Sequence, residues 1–579
     1  MIAEIKKLLA DALTELNFPL VDFSVVAAAN LSHGDYAANV ALILAKVSQR
    51  PVNDIAKQIV QHIFNVKDSP SGHLKVSPWL GKVEVAGAGF INFFLAPEFF
   101  NAALKKILSE RDDYGRGRAW LAQKVIIEYT DPNPFKEFHI GHLMSNAIGE
   151  TISRLIEFQG AAVKRACYQG DVGLHVAKAL YGMRLEETNF PKDNVPLAEK
   201  AAFLGRAYVA GATEPTTGKD NWQNSLRDLN QLIYERSNEA VNRLYDWGRR
   251  VSLEYFETIY QRLGTKFDYY FFESNTGEFG KKLVAENLGR VFESSAGAII
   301  FPAEKYDPKL HTRVFLTKDG LPTYEAKELG LAKIKFGRFA YDRSIIITGN
   351  EIADYFAVLL KALALIFPDL AAKTTHLGHG MLRLSSGKIS SRTGAVVTAE
   401  NLLAEVKTAV NEKLAVRDFD PAAREKIAEA VAVAAIKYAI LKQAPARDVI
   451  FNLEQSLSLE GDSGPYLQYT LLRARAVIEK GNGAGISTTF DRSPIEPGEL
   501  IRRLVHFSEI VDRASRLYAP NLLVTYLTEL AAAFNHYYAA EQIIGADPGA
   551  PYRLALTQAV AIVLANGLKL LAIPIPDRM

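Results

Sequence analysis

The sequence predicts a multidomain α/β protein with a parallel-sheet core of Rossmann type, an α+β domain ahead of it and an all-α domain behind it. Three observations carry this. Between about residues 113 and 400, short β-branched or aromatic runs such as Val125-Ile126-Ile127 are separated by stretches with helical apolar spacing. Before residue 112, helical patterns mix with strand-like phrases around a glycine turn, Val83 to Phe93. From Asn401 onward the pattern is mostly helical.

Composition sets the outer limits. At 579 residues, with 49% hydrophobic and 23% charged residues, the chain has the makeup of an ordinary globular protein of about three or four domains. The single cysteine, Cys167, excludes an intrachain disulfide and fits a reducing cytoplasm. Glu4, Lys6, Lys7, Asp11 and Glu15 run through the amphipathic first twenty residues, which argues against a signal peptide. The most apolar long run, Leu554 to Pro576, is interrupted by Gln558, Asn566 and Lys569, so it reads as a buried helix and no membrane partner is expected. Net charge is only +2, and residues 1–112 and 461–579 each hold 11 Lys plus Arg against 11 Asp plus Glu. A basic nucleic-acid footprint is therefore absent at domain level.

Taken in order, Gly34-Asp35-Tyr36-Ala37-Ala38-Asn39 leads into an alanine-rich helical stretch, and Asp112 to Gly117 is a polar, glycine-containing linker. The strand Val125 to Ile127 stops at Asp131-Pro132-Asn133-Pro134, because two prolines remove donors and force their predecessors out of the helical region. A helix follows: Leu143, Ala147, Ile148, Ile152, Leu155 and Ile156 recur at helical steps before Gly160. Strand, polar loop and helix N-terminus make a phosphate site, since free amides and the helix dipole favour an anion there. His139 and His142, three apart, point toward one ligand. Val163 to Tyr168 is a second strand; the exit-loop residue Asp171 suits either a helix cap or a pocket wall. A polar interval near Gly211 to Asp220 divides a helical insertion.

His139-Ile140-Gly141-His142, with Pro132-Asn133, Lys136 and Gly149 around it, resembles the first signature of class I aminoacyl-tRNA synthetases, and of arginyl-tRNA synthetases in particular. Other phrases follow in that family's order. Ser385 to Gly394, with Lys388, Ser390 and Arg392, resembles the KMSKS loop, although Ser391 replaces its second lysine and Lys136 stands upstream as in relatives lacking it. A mobile Gly, Ser and Lys stretch supplies amides, hydroxyls and cations to a transferring phosphate. Phe267 to Ser274 resembles the phrase whose glutamate, here Glu273, holds the substrate guanidinium. Tyr324 and Glu328, four apart on one helical face, match a tyrosine and an aspartate flanking it, with Glu328 departing by one methylene. Two carboxylates and a phenol satisfy a planar five-donor cation.

The resemblance implies an arginine–tRNA ligase that activates L-arginine with ATP and transfers it to the 3′ end of tRNA(Arg), with Mg²⁺ arriving on ATP. No His/Cys metal cluster is visible in the sequence. It implies a tRNA-binding domain at 1–112, a catalytic domain at 113–400, a helical stem at 401–460 and an anticodon-binding domain at 461–579. His139, His142, Lys136, Lys388 and Arg392 would carry catalysis. Glu128, Asn133, Glu273, Tyr324 and Glu328 would hold arginine, while Gly141, His379, Met381 and Ser390 join the histidines and Lys388 around ATP. Glu351 is a further candidate at the pocket. Phe90 and Asn92 match residues that read a D-loop base, though the same pair suits a core aromatic and a turn amide. Tyr466, Gln468 and Tyr469 resemble the first anticodon-domain helix, where aromatics stack on splayed bases or hold a helix interface. A cytoplasmic monomer is expected. Two rivals stay open. A small-molecule nucleotidylyltransferase would share the phosphate site without needing the flanking domains, and a tRNA-binding paralogue would keep those domains while losing the histidines and Lys388 that survive here.

Overall fold

Val125, Ile126 and Ile127 are fully buried in the strand Lys124–Glu128, the middle of a five-stranded parallel sheet. The sheet runs Thr374–His379, Arg343–Gly349, Lys124–Glu128, Ala162–Gln169, Tyr269–Phe272, with every neighbouring pair parallel. Numbered along the chain and read from the last of these, the order is 3-2-1-4-5, the doubly wound arrangement that opens a crevice beyond the carboxyl ends of the two strands where the winding reverses. Those strands are Lys124–Glu128 and Arg343–Gly349, paired with Glu128 opposite Ile346. A computed structural model describes residues 1–28, 30–67, 78–215, 219–385, 397–415, 417–490 and 497–579.

The chain forms two compact units, one of residues 1–114, 473–508 and 529–564, the other of 115–472, 509–528 and 565–579. In the first, four antiparallel strands are ordered Val25–Ala27, Tyr36–Ala38, Phe90–Leu95, Leu80–Ala86. Asp35 is buried beside this sheet: one oxygen takes the amide of Leu95 at 2.7 Å and the other takes the Arg502 guanidinium, which also lies over Phe100. The Asp35-Tyr36 phrase thus ties the sheet to the Glu499–Val505 helix, and Tyr36 meets His506 edge-on at 5.3 Å.

In the second unit, helices Leu174–Leu185, Leu197–Ala212, Lys219–Glu235 and Glu239–Arg262 form the insertion between the second and third strands of the sheet, packed around Phe135, Leu180, Phe203 and Tyr245. A smaller antiparallel sheet, Arg313–Leu316, Ala298–Phe301 and Glu293–Ser295, precedes the Tyr324–Arg338 helix. Glu273, expected at the end of an aromatic strand, is instead the first residue of the helix Glu273–Glu286, since Phe272 closes the strand. Among the described residues one helix, Ala550–Leu570, is long and apolar enough to cross a membrane, and 72% of its apolar window is buried inside the protein.

Side-chain donors also clamp main-chain carbonyls of residues 569–574. Arg154 donates to Lys569 O at 2.7 Å, Lys437 to Ala572 O at 2.9 Å and Leu263 O at 2.6 Å, and Gln468 to Pro574 O at 2.6 Å. Lys437 is completely buried. Burial, then the charge of Arg154, push its pKa down to about 7. The unfolded chain therefore binds more protons than the folded one between about pH 7 and the ordinary lysine value, and stability rises with pH across that window. The melting temperature is expected to climb between pH 7 and 9, with a visibly smaller slope in Lys437→Met; equal slopes in the two proteins would contradict this.

Candidate active site

The loop from Tyr129 to His139 leaves the central strand at the crevice. Thr130, Asp131 and Phe135 have φ of 80°, 44° and 68°, conformations that side chains other than glycine rarely adopt. Local hydrogen bonds hold them there. Thr130 N donates to Ser145 Oγ at 2.9 Å, Tyr168 N to Asp131 Oδ1 at 2.7 Å, and Phe135 N to Ser252 Oγ at 2.9 Å. Ser145 in turn donates to Ile347 O at 3.0 Å, so the loop is fastened to both switch-point strands.

The helix Ile140–Phe158 begins where expected, with His139 as its N-cap. Gly141 N donates to His139 Nδ1 at 3.1 Å, and His139 N donates to His142 Nδ1 at 3.3 Å, while the two rings stack with centroids 3.6 Å apart. A backbone N–H only donates, so in the neutral rings both Nδ1 atoms are acceptors and each proton sits on Nε2. Burial, reinforced by Lys136, lowers the pKa of His139, and burial followed by His139, Lys136 and His379 pushes His142 well below the usual range. The pair therefore offers two neutral Nε2–H donors at a helix N-terminus. A Cβ on Gly141 would lie 2.9 Å from the His139 ring, which explains a glycine there.

His379 ends its strand opposite Gly349 and donates Nδ1–H to Gly380 O at 2.7 Å. Glu351 is exposed, and its charge acts on both His139 and His379, which places it at the histidine end of the crevice. The Met381 side chain is exposed, and its amide is held by Asp448 at 2.9 Å. Lys388, Ser390 and Arg392 lie outside the described residues. The chain after them is laced to the signature: Ile140 N donates to Val397 O at 3.2 Å, Ala399 N to Phe138 O at 2.8 Å, and His139 bridges Thr398.

A carboxylate-rich pocket adjoins this site. Helices Glu273–Glu286 and Tyr324–Arg338 approach so closely that a Cβ on Gly280 would strike Ala326 O, and one on Gly330 would come 2.5 Å from Thr276 O. This contact sets their first turns side by side. Glu273, 4% exposed, receives the Lys327 ammonium on Oε2 at 2.6 Å. Its other oxygen faces Gly170, where a Cβ would lie 3.2 Å from Oε1 and collide with Asn133 Oδ1. Tyr324 is half exposed, with Lys327 Nζ 5.1 Å from its ring centre. Lys136 stands 5.0 Å from the Tyr208 ring centre and acts electrostatically on both Glu273 and the histidines, so it lies between pocket and phosphate site. Burial raises Glu328 well above the usual carboxyl range, as do Glu128, Asp131 and Glu273, with Lys335 opposing.

The other candidates sit as follows. Glu128, expected to hold the substrate's amino-acid end, is 2% exposed and paired with Lys335 at 2.7 Å, much as Glu273 is paired with Lys327. Gln468, expected at the tRNA surface, is fully buried and gives its amide to Ala430 O and Pro574 O. Tyr466 beside it is buried, while Tyr469 keeps partial exposure. Of the two roles open to Asp171, the hydrogen bonds are those of a cap: fully buried, it receives Ser274 N, Tyr245 OH and Arg249 Nε at the first turn of the helix that carries Glu273. Of the remaining pair, Phe90 is 42% exposed and Asn92 is 2% exposed on the same strand face. Sequence reasoning missed Lys327, Lys335, Asp131 and the insertion's Tyr208 and Tyr234; the eight-residue spacing of the two lysines, which puts them on one helical face, was the one available signal.

Comparison with known proteins gives these contacts a family. Residues 103–453 match the model for the class I tRNA synthetase (R) catalytic domain, residues 467–579 the DALR anticodon binding domain, and residues 3–95 the arginyl tRNA synthetase N terminal domain. The arginine–tRNA ligase of Limosilactobacillus reuteri (strain DSM 20016) is 31% identical over 580 residues, covering 99% of this chain and 98% of that one. The chain belongs to the arginyl-tRNA synthetase family. Another member, the arginine–tRNA ligase of Clostridium acetobutylicum, is 28% identical over 92% of each chain. The solved arginyl-tRNA synthetase of Thermus thermophilus superposes with a TM-score of 0.81 at 26% identity, covering 100% of both chains. Within this synthetase family, the multidomain order of N-terminal domain, Rossmann-type catalytic domain and helical anticodon-binding domain is the one read from the sequence.

Proposed function

We infer that the chain is an ATP-dependent arginine–tRNA ligase, a translation enzyme that forms arginyl-adenylate and pyrophosphate and passes the arginyl group to the 3′ end of tRNA(Arg). The observation that carries the residue assignment is Oε1 of Glu273, without a hydrogen-bond partner among the described residues, which faces Asn133 and Gly170 beside Lys136 and the stacked histidines. A guanidinium entering there meets Glu273, with Glu328 and Tyr324 satisfying its remaining donors. Asn133 takes the amino-acid end. His139 and His142 then donate from Nε2 to the α-phosphate as charge builds on it, while Lys136, with Lys388 and Arg392, neutralises departing pyrophosphate. Such catalysis is positioning and electrostatics. His379, Gly141, Met381 and Ser390 complete the ATP site, and Mg²⁺ comes with ATP as part of the substrate. The reading extends to a cytoplasmic monomer. Charging total tRNA with each of the twenty amino acids tests the assignment; arginine alone should be incorporated, and incorporation of another amino acid in its place overturns it.

Phe90, exposed beside the Gly87–Gly89 turn, is proposed to stack on an unpaired base of the tRNA corner. Phe90→Ala should weaken kcat/KM for tRNA by about 1 to 3 kcal/mol and leave the KM for arginine nearly unchanged. Because the side chain is exposed, its loss opens no core cavity, and an unchanged tRNA dependence would remove it from the interface.

A further inference from the structure

Lys327 is a cation built into a site for cations. Its ammonium lies 2.6 Å from Glu273 Oε2, and the two side chains are only 4% and 5% exposed. The rings of Tyr324 and Tyr234 are centred 5.1 and 5.7 Å from Nζ. A carboxylate and two phenols around an ammonium form the surroundings that a cationic ligand seeks, and here the chain supplies the occupant itself. A structural reading makes Lys327 only a counter-ion for Glu273. Yet a buried pair of this kind gains little over an apolar pair of the same volume, and the helix contact through Gly280 and Gly330 already fixes the two first turns.

We propose that Lys327 is a specificity-determining residue of the amino-acid pocket: its ammonium holds one oxygen of Glu273 and the space between Tyr234 and Tyr324, leaving one oxygen for a guanidinium and rejecting amino acids that end on an ammonium. The chemistry of the two ligand heads makes the difference. A substrate ammonium concentrates its charge on one strongly hydrated atom, and on reaching Oε1 it would stand beside Nζ of Lys327 with a single carboxylate oxygen to itself. A guanidinium spreads its charge over a plane and carries five donors, so it can address Oε1 with one edge and the Glu328 side with another. Lys327 also fixes Glu273 through Oε2, so that Oε1 stays turned toward Asn133 and Gly170.

This rests on the pocket assignment made above, and the test separates the two. Arginine-, lysine- and ornithine-dependent ATP–pyrophosphate exchange would be measured on the full chain with tRNA present, for the native protein, Lys327→Met, Lys327→Gln, Lys327→Arg and Glu273→Gln. The preference for arginine over lysine or ornithine, in kcat/KM, should fall by about tenfold or more in Lys327→Met and Lys327→Gln and persist in Lys327→Arg. An equal loss on all three amino acids, with the preference unchanged, makes Lys327 a counter-ion only and overturns the proposal. Undiminished arginine use by Glu273→Gln removes the pocket assignment itself, and the proposal with it. A readout on the native protein is independent of whether any variant folds. Lysine and its uncharged counterpart norleucine are compared as inhibitors of arginine activation: similar inhibition supports exclusion of the ammonium, whereas lysine binding about tenfold tighter shows that the ammonium is accepted and overturns it.

Discussion

Replacing His142 with alanine should lower kcat for arginylation by about a hundredfold or more, because one preorganised donor to a developing oxyanion is worth on the order of 3 kcal/mol. Two changes combine. The Nε2–H donor disappears, and so does the Nδ1 acceptor that receives the His139 amide at the helix N-terminus. His139 loses its stacking partner, so its own ring is less well held. The fold should persist, since the helix keeps its buried apolar residues Leu143, Ala147, Ile148 and Ile152. Both histidines are held below the usual imidazole pKa by burial, His142 the further, so the neutral donors are lost only below the pH at which a free imidazole would charge. Any acid limb of the native kcat from these two groups should accordingly lie below that of a free imidazole. Single-turnover arginyl-adenylate formation measures both effects, and an unchanged rate in the variant would remove His142 from the mechanism.

Glu273→Gln should reduce kcat/KM for arginine by roughly thirtyfold or more, since removing one partner of a buried charge pair costs about 2 to 5 kcal/mol. The substitution preserves volume but places an NH₂ where the pocket needs acceptors, opposite a ligand made of donors. It also leaves the Lys327 ammonium buried without its 2.6 Å carboxylate, so a lower melting temperature should accompany the kinetic loss. The KM for ATP should stay within about threefold, because the histidines sit on a different loop. Burial raises the pKa of Glu273 above the ordinary carboxyl value. Arginine use by the native protein should therefore decline as pH falls through that raised value, and Glu273→Gln should lack this acid limb. An arginine KM equal to the native one would leave Glu273 with a structural role only.

The phosphate site was legible because its signals are local. Two prolines end the strand, helical spacing begins at Leu143, and the histidines stand in the first turn, so neighbouring residues settle the geometry. The pocket was half legible. Glu273 and Tyr324 came from phrases with fixed spacing, but their partners come from elsewhere. Tyr208 and Tyr234 arrive from the helical insertion. Nothing in one sequence says that the lysine face of Lys327 and Lys335 will be turned inward against carboxylates. Gln468 shows the reverse error: an amide on an aromatic helix reads as surface chemistry, whereas a distant carbonyl, Pro574 O, draws it inside. The countercharge of Glu128, Lys335, was equally out of view, lying 207 positions away.

The carbonyl clamp at residues 569–574 bears on how the molecule comes into being. The helix that opens with the two histidines receives one of its fastenings, Arg154 to Lys569 O, from 415 positions downstream. A ribosome adding about 5 to 20 residues each second needs roughly 20 to 80 seconds to cover that distance. Arg154 throughout that interval, and Lys437 over the last 135 positions before Ala572, must remain hydrated or find temporary acceptors. The nascent catalytic sheet can assemble in that time, but its signature helix waits for the downstream segment before its last polar contacts close. Emerging chains thus hold the histidines without their final support, and the onset of arginylation should trail the appearance of the folded sheet by the time needed to extend the chain from His379, where the last strand ends, to residues 569–574.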